Sequence, residues 1–497
     1  MNVYSMLADA VRRRANETAV SWGSRRQSYR DFDGTCAALG AWFAAMGCSR
    51  GDRVLLFIRN GFEFPALLLA TMRAGLVVVP VNAKLHPREV AWIAGDAEPK
   101  LIIAHAEHME ELRTSLPPSL DAELLAIEEY ELPAPVDADH PAEVDPDDPA
   151  WISYTSGTTG KPKGATLTHR NIVASAVNCL ADVFDFRESD RVLHVAPLSH
   201  GSGIYLIPSL ARGAENIIYD RPSFRPDEVF DRVAELSISV VAFVAPTMIV
   251  RFLEAPPRSD IGSLRGVIYG GANIHLEHIR AAVARFGPIF HQLYGQGEAP
   301  MTISYLPGAA HLGADDETLV SAGYIRSGVE VRILDENDNE VPAGEDGEIC
   351  VRGEVVMKGY WRNPEATAKA LRGGWLHTGD IGRFDAGGRL RVLDRRHDTI
   401  ISGASNIYPK EIEDVIAAHP GVREVIAFGL PDAEWGESVC VAVVADDPAL
   451  DEPAVLAFCK ANLASFKKPK RVVFMDELPK NAYGKVLRRD LRELLRG

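Results

Sequence analysis

The stretch that decides the fold is WISYTSGTTGKPKG, residues 151–164, in which a short apolar strand pattern runs directly into a loop. The last ten residues contain three glycines, four hydroxyl side chains and two lysines. Glycines let backbone N–H groups approach a ligand closely, while hydroxyls and lysines supply donors and positive charge. We therefore predict a loop that binds polyphosphate rather than a solvated linker. The Walker A spacing is not present in it.

Helix and strand patterns alternate on the N-terminal side of this loop. YRDFDGTCAALGAWFAAMG and EFPALLLATMRAG have apolar residues at helical spacing, whereas DRVLLFI and LVVVPVN are short apolar runs. This alternation indicates an α/β fold with parallel strands crossed by helices. Residues 132–150 are rich in Pro, Asp and Glu and predict an exposed linker before the loop.

The C-terminal third of the chain has a different pattern. VEVRILDENDNEVPAGEDGEICVRG, from Val329 onward, predicts a small barrel or antiparallel sheet, and mixed α+β patterns follow GRLRVLDRRHDTIISG. We place a domain boundary between Asp394 and Asp398. The prediction is a large N-terminal domain (residues 1–394) of two βα-layered sheets plus a small β-barrel-like part. A small, mobile α+β C-terminal domain (residues 395–497) follows it.

Composition narrows the class of protein. The chain has 497 residues, 46% hydrophobic and 25% charged, which is typical of a multi-domain globular protein. Its formal charge of -16 opposes binding to nucleic acid or to an anionic membrane surface. There is no secretory signal pattern and no apolar run long enough to span a membrane. Six cysteines without a C-x-x-C pair indicate reduced thiols, so we expect a cytoplasmic protein.

Further motifs follow the loop in a fixed order: APLSHGSG, YGGANI, YGQGEAP, GEICVRGEVVMKGYW, HTGDIG, DRRHDTIISGASNIYPKEIE and NAYGKVLRRDL. Together with YTSGTTGKPKGATLTHRN they resemble the adenylate-forming superfamily, which contains acyl-CoA synthetases, firefly luciferase and peptide-synthetase adenylation domains. The resemblance implies an AMP-forming acid:CoA ligase that uses ATP, Mg²⁺ and coenzyme A. In that reaction a carboxylate attacks the α-phosphorus of ATP, pyrophosphate leaves, and the acyl group passes to a thiol.

The resemblance also assigns roles in nucleotide binding. The loop would hold the β- and γ-phosphates, Glu298 would bind Mg²⁺, Asp380 would accept the ribose hydroxyls, and Arg395 would reach ribose and phosphate. Without their motifs these side chains would be read as a surface charge, a turn cap and an interdomain ion pair. The nucleotide and CoA residues implied are Thr155, Ser156, Gly157, Thr158, Thr159, Gly160, Lys161, Lys163, Gly164, Gly271, Ala272, Asn273, Tyr294, Gly295, Gln296, Asp380, Arg395, Gly403 and Ala404.

Four residues are implied as catalytic: Lys485, His200, Thr155 and Glu298. Lys485 matches a mobile lysine that bridges the attacking carboxylate and the α-phosphate, although a lysine in a basic run is ordinarily a solvated charge. The chain departs from the family pattern at three positions. His397 stands at the hinge in place of Asp or Lys, Ala404 replaces a glycine of the pantetheine passage, and Gly297 replaces a residue with a hydroxyl group.

The acid is the carboxylic acid that the enzyme would activate. The segment APLSHGSGIYL contains no Asp to pair an amino group and no Arg or Lys to pair a second carboxylate. Amino acids and dicarboxylic acids are therefore not expected, and we predict an apolar monocarboxylic acid, aryl or of medium chain length. The residues predicted to surround it are His200, Gly201, Ser202, Tyr205, Phe243, Gly297 and Met301, with Gly203 beside them.

Two alternatives stay open from the sequence. The adenylate could pass to an amine or a carrier protein instead of CoA, or the fold could only sense a nucleotide or an acid. The pair His275 and His278 in HLEHI has crude metal-ligand spacing, but we interpret it as an exposed helical turn. The oligomeric state is open as well, with a homodimer as one alternative.

Overall fold

The computed structural model describes residues 1–155, 162–221, 223–256, 260–396, 398–402, 405–432, 435–464, 467–480 and 486–495. The strands are β1 (Thr18–Trp22), β2 (Arg25–Ser28), β3 (Arg53–Phe57), β4 (Val77–Pro80), β5 (Leu101–Ala104), β6 (Glu123–Ala126), β7 (Pro149–Thr155), β8 (Lys163–Thr168), β9 (Arg191–His194), β10 (Glu215–Ile218), β11 (Val240–Val244), β12 (Gly266–Gly270), β13 (Phe290–Gln296), β14 (Ala299–Leu306), β15 (Tyr324–Ile325), β16 (Val329–Leu334), β17 (Gly347–Gly353), β18 (Gly359–Tyr360), β19 (Leu376–Phe384), β20 (Leu390–Arg395), β21 (Ile400–Ser402), β22 (Ser405–Ile407), β23 (Val422–Asp432), β24 (Gly436–Ala445) and β25 (Arg471–Phe474).

Helices lie between most of these strands. They are α1 (Ala8–Arg13), α2 (Tyr29–Ala45), α3 (Glu63–Arg73), α4 (Pro87–Ala97), α5 (Met109–Ser115), α6 (His169–Asn178), α7 (Gly201–Ile204), α8 (Leu206–Ala211), α9 (Pro226–Leu236), α10 (Pro246–Glu254), α11 (Leu276–Phe286), α12 (Asp316–Val320), α13 (Pro364–Ala370), α14 (Pro409–Ala417), α15 (Glu452–Asn462) and α16 (Arg488–Leu494). Of the helices described, none has the length and apolar character that crossing a membrane requires.

The larger sheet has nine strands in the order β15-β14-β13-β12-β11-β9-β10-β1-β2. Its centre, from β1 to β13, is parallel, and antiparallel strands close both edges. Every residue of β11 and β12 is buried. A parallel strand is covered on both faces, which explains why these strands are continuous apolar runs in the sequence.

The second large sheet has seven strands in the order β18-β8-β7-β4-β3-β5-β6. Its β7 and β8 pair antiparallel, with Thr155 opposite Lys163, so the predicted phosphate loop connects the two strands of a hairpin. The four elements predicted from the patterns between residues 29 and 82 are confirmed as α2, β3, α3 and β4. Residues 130–148 contain no helix or strand, as the predicted linker requires.

Two smaller sheets complete the fold. Strands β16, β17, β19 and β20 form an antiparallel sheet, which confirms the prediction for the region after Val329. Strands β21–β25 form a five-stranded sheet with α14, α15 and α16. Apolar clusters cover both faces of this sheet: Val441 packs with Ile412 of α14 in one cluster, and Phe428 packs with Leu491 of α16 in the other. The C-terminal part of the chain therefore has a core of its own.

Candidate active site

Several of the predicted nucleotide and acid residues lie at one edge of the nine-stranded sheet. Parallel strands β9, β11, β12 and β13 present their carboxyl ends there, and the segments that contain His200, Phe243, Gly271 and Tyr294 lie at or just after those ends. Ligands of open α/β sheets bind at this edge. The topology thus explains why residues far apart in the sequence converge.

Asp380 lies at the centre of the first cluster. It is only 4% exposed, and its Oδ2 accepts hydrogen bonds from the hydroxyl of Tyr294 (2.7 Å) and from Nε2 of Gln296 (3.2 Å). Nε of Arg395 lies 2.8 Å from Oδ1, because β19 and β20 pair with Asp380 directly opposite Arg395. Three residues predicted for nucleotide binding therefore surround this carboxylate.

Electrostatics fix the protonation of this cluster. The Asp380 carboxylate is the main cause that raises the pKa of Arg395, which stays charged. Burial, reinforced by Asp380, raises the pKa of Tyr294 well above its ordinary value, so its hydroxyl stays a donor. The side chain of Arg395 is 36% exposed and accessible to a ligand. The cluster thus consists of the buried Asp380 carboxylate, which accepts hydrogen bonds, and the partly exposed Arg395 cation beside it.

Glu298 forms a second cluster with the exit of the phosphate loop. Its residue is 8% exposed, and Oε1 accepts a hydrogen bond of 2.7 Å from the hydroxyl of Tyr360. Tyr360 lies in β18, which pairs with β8, and Nζ of Lys163 lies 5.1 Å from the centre of its ring. Lys163, predicted to hold phosphate, is therefore connected to Glu298, predicted to hold Mg²⁺, through one tyrosine.

The two clusters share one electrostatic environment. Arg395 interacts with the charge of Glu298 as well as with Asp380, and it also acts on Tyr360. The two clusters therefore lie within range of each other's charges. The site thus places positively charged side chains near carboxylates, which suits a polyphosphate with a bound metal ion.

Glu298 fits a magnesium ligand. In the described part of the chain its carboxylate accepts one hydrogen bond, from a neutral hydroxyl, which leaves carboxylate lone pairs for a hard cation. A buried carboxylate is costly without a positive partner, and Mg²⁺ bound to phosphates would supply that charge.

Part of the phosphate loop falls outside the described residues: Ser156, Gly157, Thr158, Thr159, Gly160 and Lys161. The described end is closely packed, because the carbonyl of Gly164 accepts a hydrogen bond of 2.7 Å from the backbone N–H of Trp361. A Cβ at Gly164 would lie 2.6 Å from Cγ2 of Ile152 and 3.0 Å from the ring of Tyr154. Glycine is therefore required here for packing, in addition to any role in phosphate binding.

The predicted acid residues form a crowded apolar group. A Cβ at Gly201 would lie 2.8 Å from Cε of Met301 and 3.1 Å from the ring of Phe243. Phe243 and Met301 both have left-handed backbone conformations, with φ of 58° and 59°. Such conformations cost free energy in non-glycine residues and cluster at functional sites. The buried side chain of Arg326 donates to the carbonyl of Met301 and helps to hold it there.

Other predicted acid residues differ in their surroundings. His200 follows β9, its Nδ1 lies 2.9 Å from Oγ of Ser199, and burial lowers its pKa to about 4, so it is neutral near pH 7. Tyr205 is buried in the same apolar cluster as Phe243. The side chain of Ser202 is fully buried and bonds His194 Nδ1 (2.9 Å) and the carbonyl of Ala242 (3.2 Å), so it belongs to the core.

The remaining predicted nucleotide residues lie at the carboxyl ends of β12 and β13. Gly271, Ala272 and Asn273 are exposed directly after β12, and Gly271 has φ of 83°. Gly295 is closely packed, since its Cβ position is 2.5 Å from the backbone nitrogen of Met301. Gly297 forms the turn into Glu298.

Four predicted residues of the C-terminal region lie outside the described residues: His397, Gly403, Ala404 and Lys485. The helix that follows Lys485 is described, and its Arg488 is anchored firmly. Arg488 donates to Glu413 (2.6 Å), to Asp398 (3.2 Å) and to the carbonyl of Ala427 (3.0 Å). The start of α16 is thus tied to Asp398, next to the predicted hinge, and to Glu413 and Ala427 of the C-terminal part.

One interpretation from the sequence is wrong in part. HLEHI begins a helix as predicted, with His275 at the N-cap position of α11 but without a capping hydrogen bond from its side chain. It is not simply exposed, because both histidines are partly buried and Nδ1 of His275 lies 2.9 Å from Oδ1 of Asp414. Periodicity alone gave no sign that a residue of a C-terminal helix contacts this turn.

Sequence reasoning also left Tyr360 without a role, although it lies in the quoted motif GEICVRGEVVMKGYW. Its position two residues into a short strand gave no functional signal. The pairing of β18 with β8 is what brings it to Glu298.

The structure combines a large α/β part, in which predicted nucleotide residues lie at the carboxyl edge of the nine-stranded sheet, with a C-terminal α+β unit. The chain belongs to the AMP-binding enzyme family, whose family model matches residues 7–361. The model of the AMP-binding enzyme C-terminal domain matches residues 411–485. The predicted superfamily, its fold and its use of ATP, Mg²⁺ and CoA are confirmed at this level.

Three relatives illustrate the likeness. A feruloyl-CoA synthase of Amycolatopsis sp is 36% identical over 96% of this chain and 95% of its own length. ATP-bound MatB from Rhodopseudomonas palustris is 32% identical over 100% of this chain and 99% of its own, with a TM-score of 0.90. Apo MatB is 31% identical with the same coverage of both chains, and its TM-score is 0.79. The amide bond synthetase McbA from Marinactinospora thermotolerans is 28% identical over 99% and 100%, with a TM-score of 0.89.

Proposed function

We propose that the protein is an AMP-forming acid:CoA ligase that activates an apolar monocarboxylic acid, aryl or of medium chain length. The observation that carries the proposal is that two charged clusters lie within range of each other. One contains Asp380 and Arg395, and the other contains Glu298 and Lys163 at the exit of the glycine loop. Such an arrangement suits a nucleotide held at the ribose by one end and at the phosphates by the other.

The first half-reaction brings two anions together. A carboxylate oxygen of the acid attacks the α-phosphorus of ATP, a P–O bond forms, and the bond to the departing pyrophosphate breaks. Mg²⁺ held by Glu298 would neutralise phosphate charge when bound. Arg395 and Lys163 lower the repulsion between the two anions, and Asp380 fixes the ribose so that the α-phosphorus stays in line.

The second half-reaction transfers the acyl group. The CoA thiol loses its proton, its sulfur attacks the carbonyl carbon of the acyl adenylate, and AMP leaves with the oxygen that came from the acid. A neutral His200 beside the acid can orient the carboxylate without adding charge. Lys485, carried by the C-terminal domain, would bridge the carboxylate and the α-phosphate in the first step only.

The proposed class of acid rests on the residues around Gly201. Phe243 and Tyr205 belong to one buried apolar cluster against which Met301 packs, and no lysine or arginine occurs between residues 195 and 206. A feruloyl-CoA synthase is among the relatives, and feruloyl is an aryl acyl group. Phe243 and Met301 both lie beside Gly201, and a flat aryl group would stack well on such side chains.

Transfer to an amine is the second candidate function. An amide bond synthetase is among the structural relatives, at a TM-score of 0.89 over nearly the whole chain. Adenylate formation is common to both candidates, so only the acceptor distinguishes them.

A panel of acids tests the proposal. Pyrophosphate release is measured with aryl and aliphatic acids, each alone, with CoA and with simple amines. We expect release to depend on the acid, to be highest with aryl or medium-chain acids, and to become catalytic when CoA is added. Turnover with amines but not with CoA would favour the second candidate function. The absence of pyrophosphate release that depends on an acid would overturn the proposed ligase activity.

Substitution of Lys485 tests its assigned role. Lys485→Ala removes the positive charge that would meet the carboxylate, so we expect acid-dependent pyrophosphate release to fall at least about 100-fold. Binding of ATP, measured by calorimetry, should stay within about threefold, since one contact is lost. Lys480→Ala, on the same basic segment, is the matched control. Unchanged turnover in the Lys485 variant would end the assignment.

We also propose a cytoplasmic location. All six cysteines are free and buried, which suits a reducing compartment. A homodimer is the assembly that we propose to test first, by light scattering of the purified chain.

A further inference from the structure

A polar contact joins the nucleotide side of the molecule to the C-terminal unit, the part formed by β21–β25 and α14–α16. Nδ1 of His275 lies 2.9 Å from Oδ1 of Asp414, and the Lys410 ammonium contacts the same carboxylate one helical turn away. The side chains of His275 and Asp414 are 27% and 28% exposed, so water screens their interaction only in part. Burial raises the pKa of Asp414, but His275 and Lys410 outweigh it and hold that pKa below its ordinary value.

The surfaces beside this contact are not closely packed. A cleft of about 340 Å³ lies between the two parts of the molecule, lined by Leu276 and Val320 from one and by Val415 and Phe458 from the other. Apolar packing therefore cannot define the relative orientation at this place. A directional contact such as that between His275 and Asp414 can define it.

The position of the contact connects it to the reaction. His275 follows Asn273 by two residues, in the segment that leaves β12 at the nucleotide edge of the sheet. Asp414 lies on α14, whose first turn is tied to the end of β20 by a hydrogen bond of 3.1 Å from the Lys410 N–H to Asp394. Helix α14 is thus attached at two points, one beside Arg395 and one beside the nucleotide segment.

The whole arrangement is closer to a nucleotide-bound relative than to an empty one. The TM-score is 0.90 with ATP-bound MatB and 0.79 with apo MatB, at nearly equal identity and coverage. The contact between His275 and Asp414 therefore belongs to an arrangement that resembles the ATP-bound one.

We propose that His275 and Asp414 form an interdomain latch that holds the C-terminal unit in the orientation for acyl-adenylate formation. This inference rests on the proposed function. Both are positioning residues, since they act through the placement of the C-terminal unit and touch neither reactant. The latch supports the first half-reaction and must open before the C-terminal unit can take any other orientation.

The test measures the two half-reactions separately. Acyl-adenylate formation is followed as acid-dependent pyrophosphate release in a single turnover, and thioester formation is followed from preformed acyl adenylate and CoA. For His275→Ala and for Asp414→Ala we expect the first rate to fall about three- to tenfold, because one partly buried hydrogen bond contributes about that factor. The second rate should be unchanged or higher. The double variant should be no slower than the Asp414 variant alone, because the contact between His275 and Asp414 is already lost in that variant.

Controls separate the latch from simpler explanations. Glu277→Gln lies on the same turn, but Glu277 pairs with Arg280 of its own helix, so both rates should remain as in the wild type. Unchanged melting temperatures of the variants exclude general damage to the fold. An equal loss in both half-reactions, or no loss in either, would overturn the latch. Wild-type protein that releases no pyrophosphate with any acid would instead overturn the proposed function.

Discussion

At the scale of single residues, the site depends on close approaches that only particular side chains allow. The sequence identified Asp380, Glu298 and Arg395 through their motifs, and the structure gives them partners within hydrogen-bond distance. It could not identify Tyr360, because that residue reaches Glu298 through strand pairing between distant segments. Nor could it show that Ser202 faces the core, since burial at this position depends on the packing of α7 against β11.

Gly201→Ala tests the acid site at this scale. The added methyl group would lie 2.8 Å from Met301 and 3.1 Å from Phe243, both held in strained backbone conformations, so the group must shift. We expect kcat/KM for bulky aryl acids to fall about tenfold while the KM for ATP stays unchanged, because overpacking of this size costs about 1–3 kcal/mol. Steady-state kinetics with a small and a bulky acid provide the measurement. Gly61→Ala, where the nearest atom is 3.5 Å away, is the control. Equal losses for ATP and for acid would argue against an acid site here.

At the scale of elements, the β7–β8 hairpin determines where phosphate can bind. Strand β7 was predicted from its apolar run before the loop, whereas β8 was not predicted. Their neighbours in the sheet were not predictable, since β4 and β18 are distant in the sequence. Length and alternation predict a strand, whereas its neighbours depend on packing of the whole domain.

Gly164→Ala tests the hairpin. A methyl group 2.6 Å from Ile152 and 3.0 Å from Tyr154 forces β7 and β8 apart next to the phosphate loop. We expect the free energy of unfolding to fall by about 1–3 kcal/mol and the KM for ATP to rise. Denaturant unfolding and ATP-dependent kinetics give the two readings. A variant with normal stability and normal KM would show that the close packing has no effect on the loop.

At the scale of the whole molecule, the relative placement of the C-terminal unit was beyond the sequence. The motifs predicted a mobile domain, and the boundary near residues 394–398 stays a prediction. Its orientation depends on contacts such as that between His275 and Asp414, in which neither partner has a recognisable pattern. Orientation is a balance of several weak surface interactions, and local sequence does not encode that balance.

Stability of the molecule should decrease in mild acid. Burial lowers the pKa of four histidines to about 4: His169, His194, His200 and His291. Between pH 6.5 and pH 4 these side chains are therefore protonated in the unfolded chain but neutral in the folded protein, which favours unfolding. Their contribution is complete above pH 6.5 and is lost as the pH falls towards 4. Burial raises the pKa of Asp394 to about 6, so this carboxyl group stabilises the folded protein as the pH falls. Its effect opposes that of the four histidines but comes from a single group.

The fully buried His194 allows a direct check. Denaturant unfolding of the wild type near pH 7 and near pH 5 should show a loss of stability on acidification. In His194→Gln that loss should be smaller by about 2 kcal/mol, since each pKa unit corresponds to about 1.4 kcal/mol. Equal losses in the two proteins would contradict the neutral, buried state of this imidazole.

The most direct test of the account follows an oxygen atom. An acid that turns over well is labelled with ¹⁸O in its carboxylate, and the products of one turnover with ATP, Mg²⁺ and CoA are analysed by mass spectrometry. Attack of the carboxylate on the α-phosphorus, followed by transfer to the thiol, predicts one ¹⁸O atom in AMP and none in pyrophosphate. Label in orthophosphate with ADP as the nucleotide product, or AMP without label, would contradict the account.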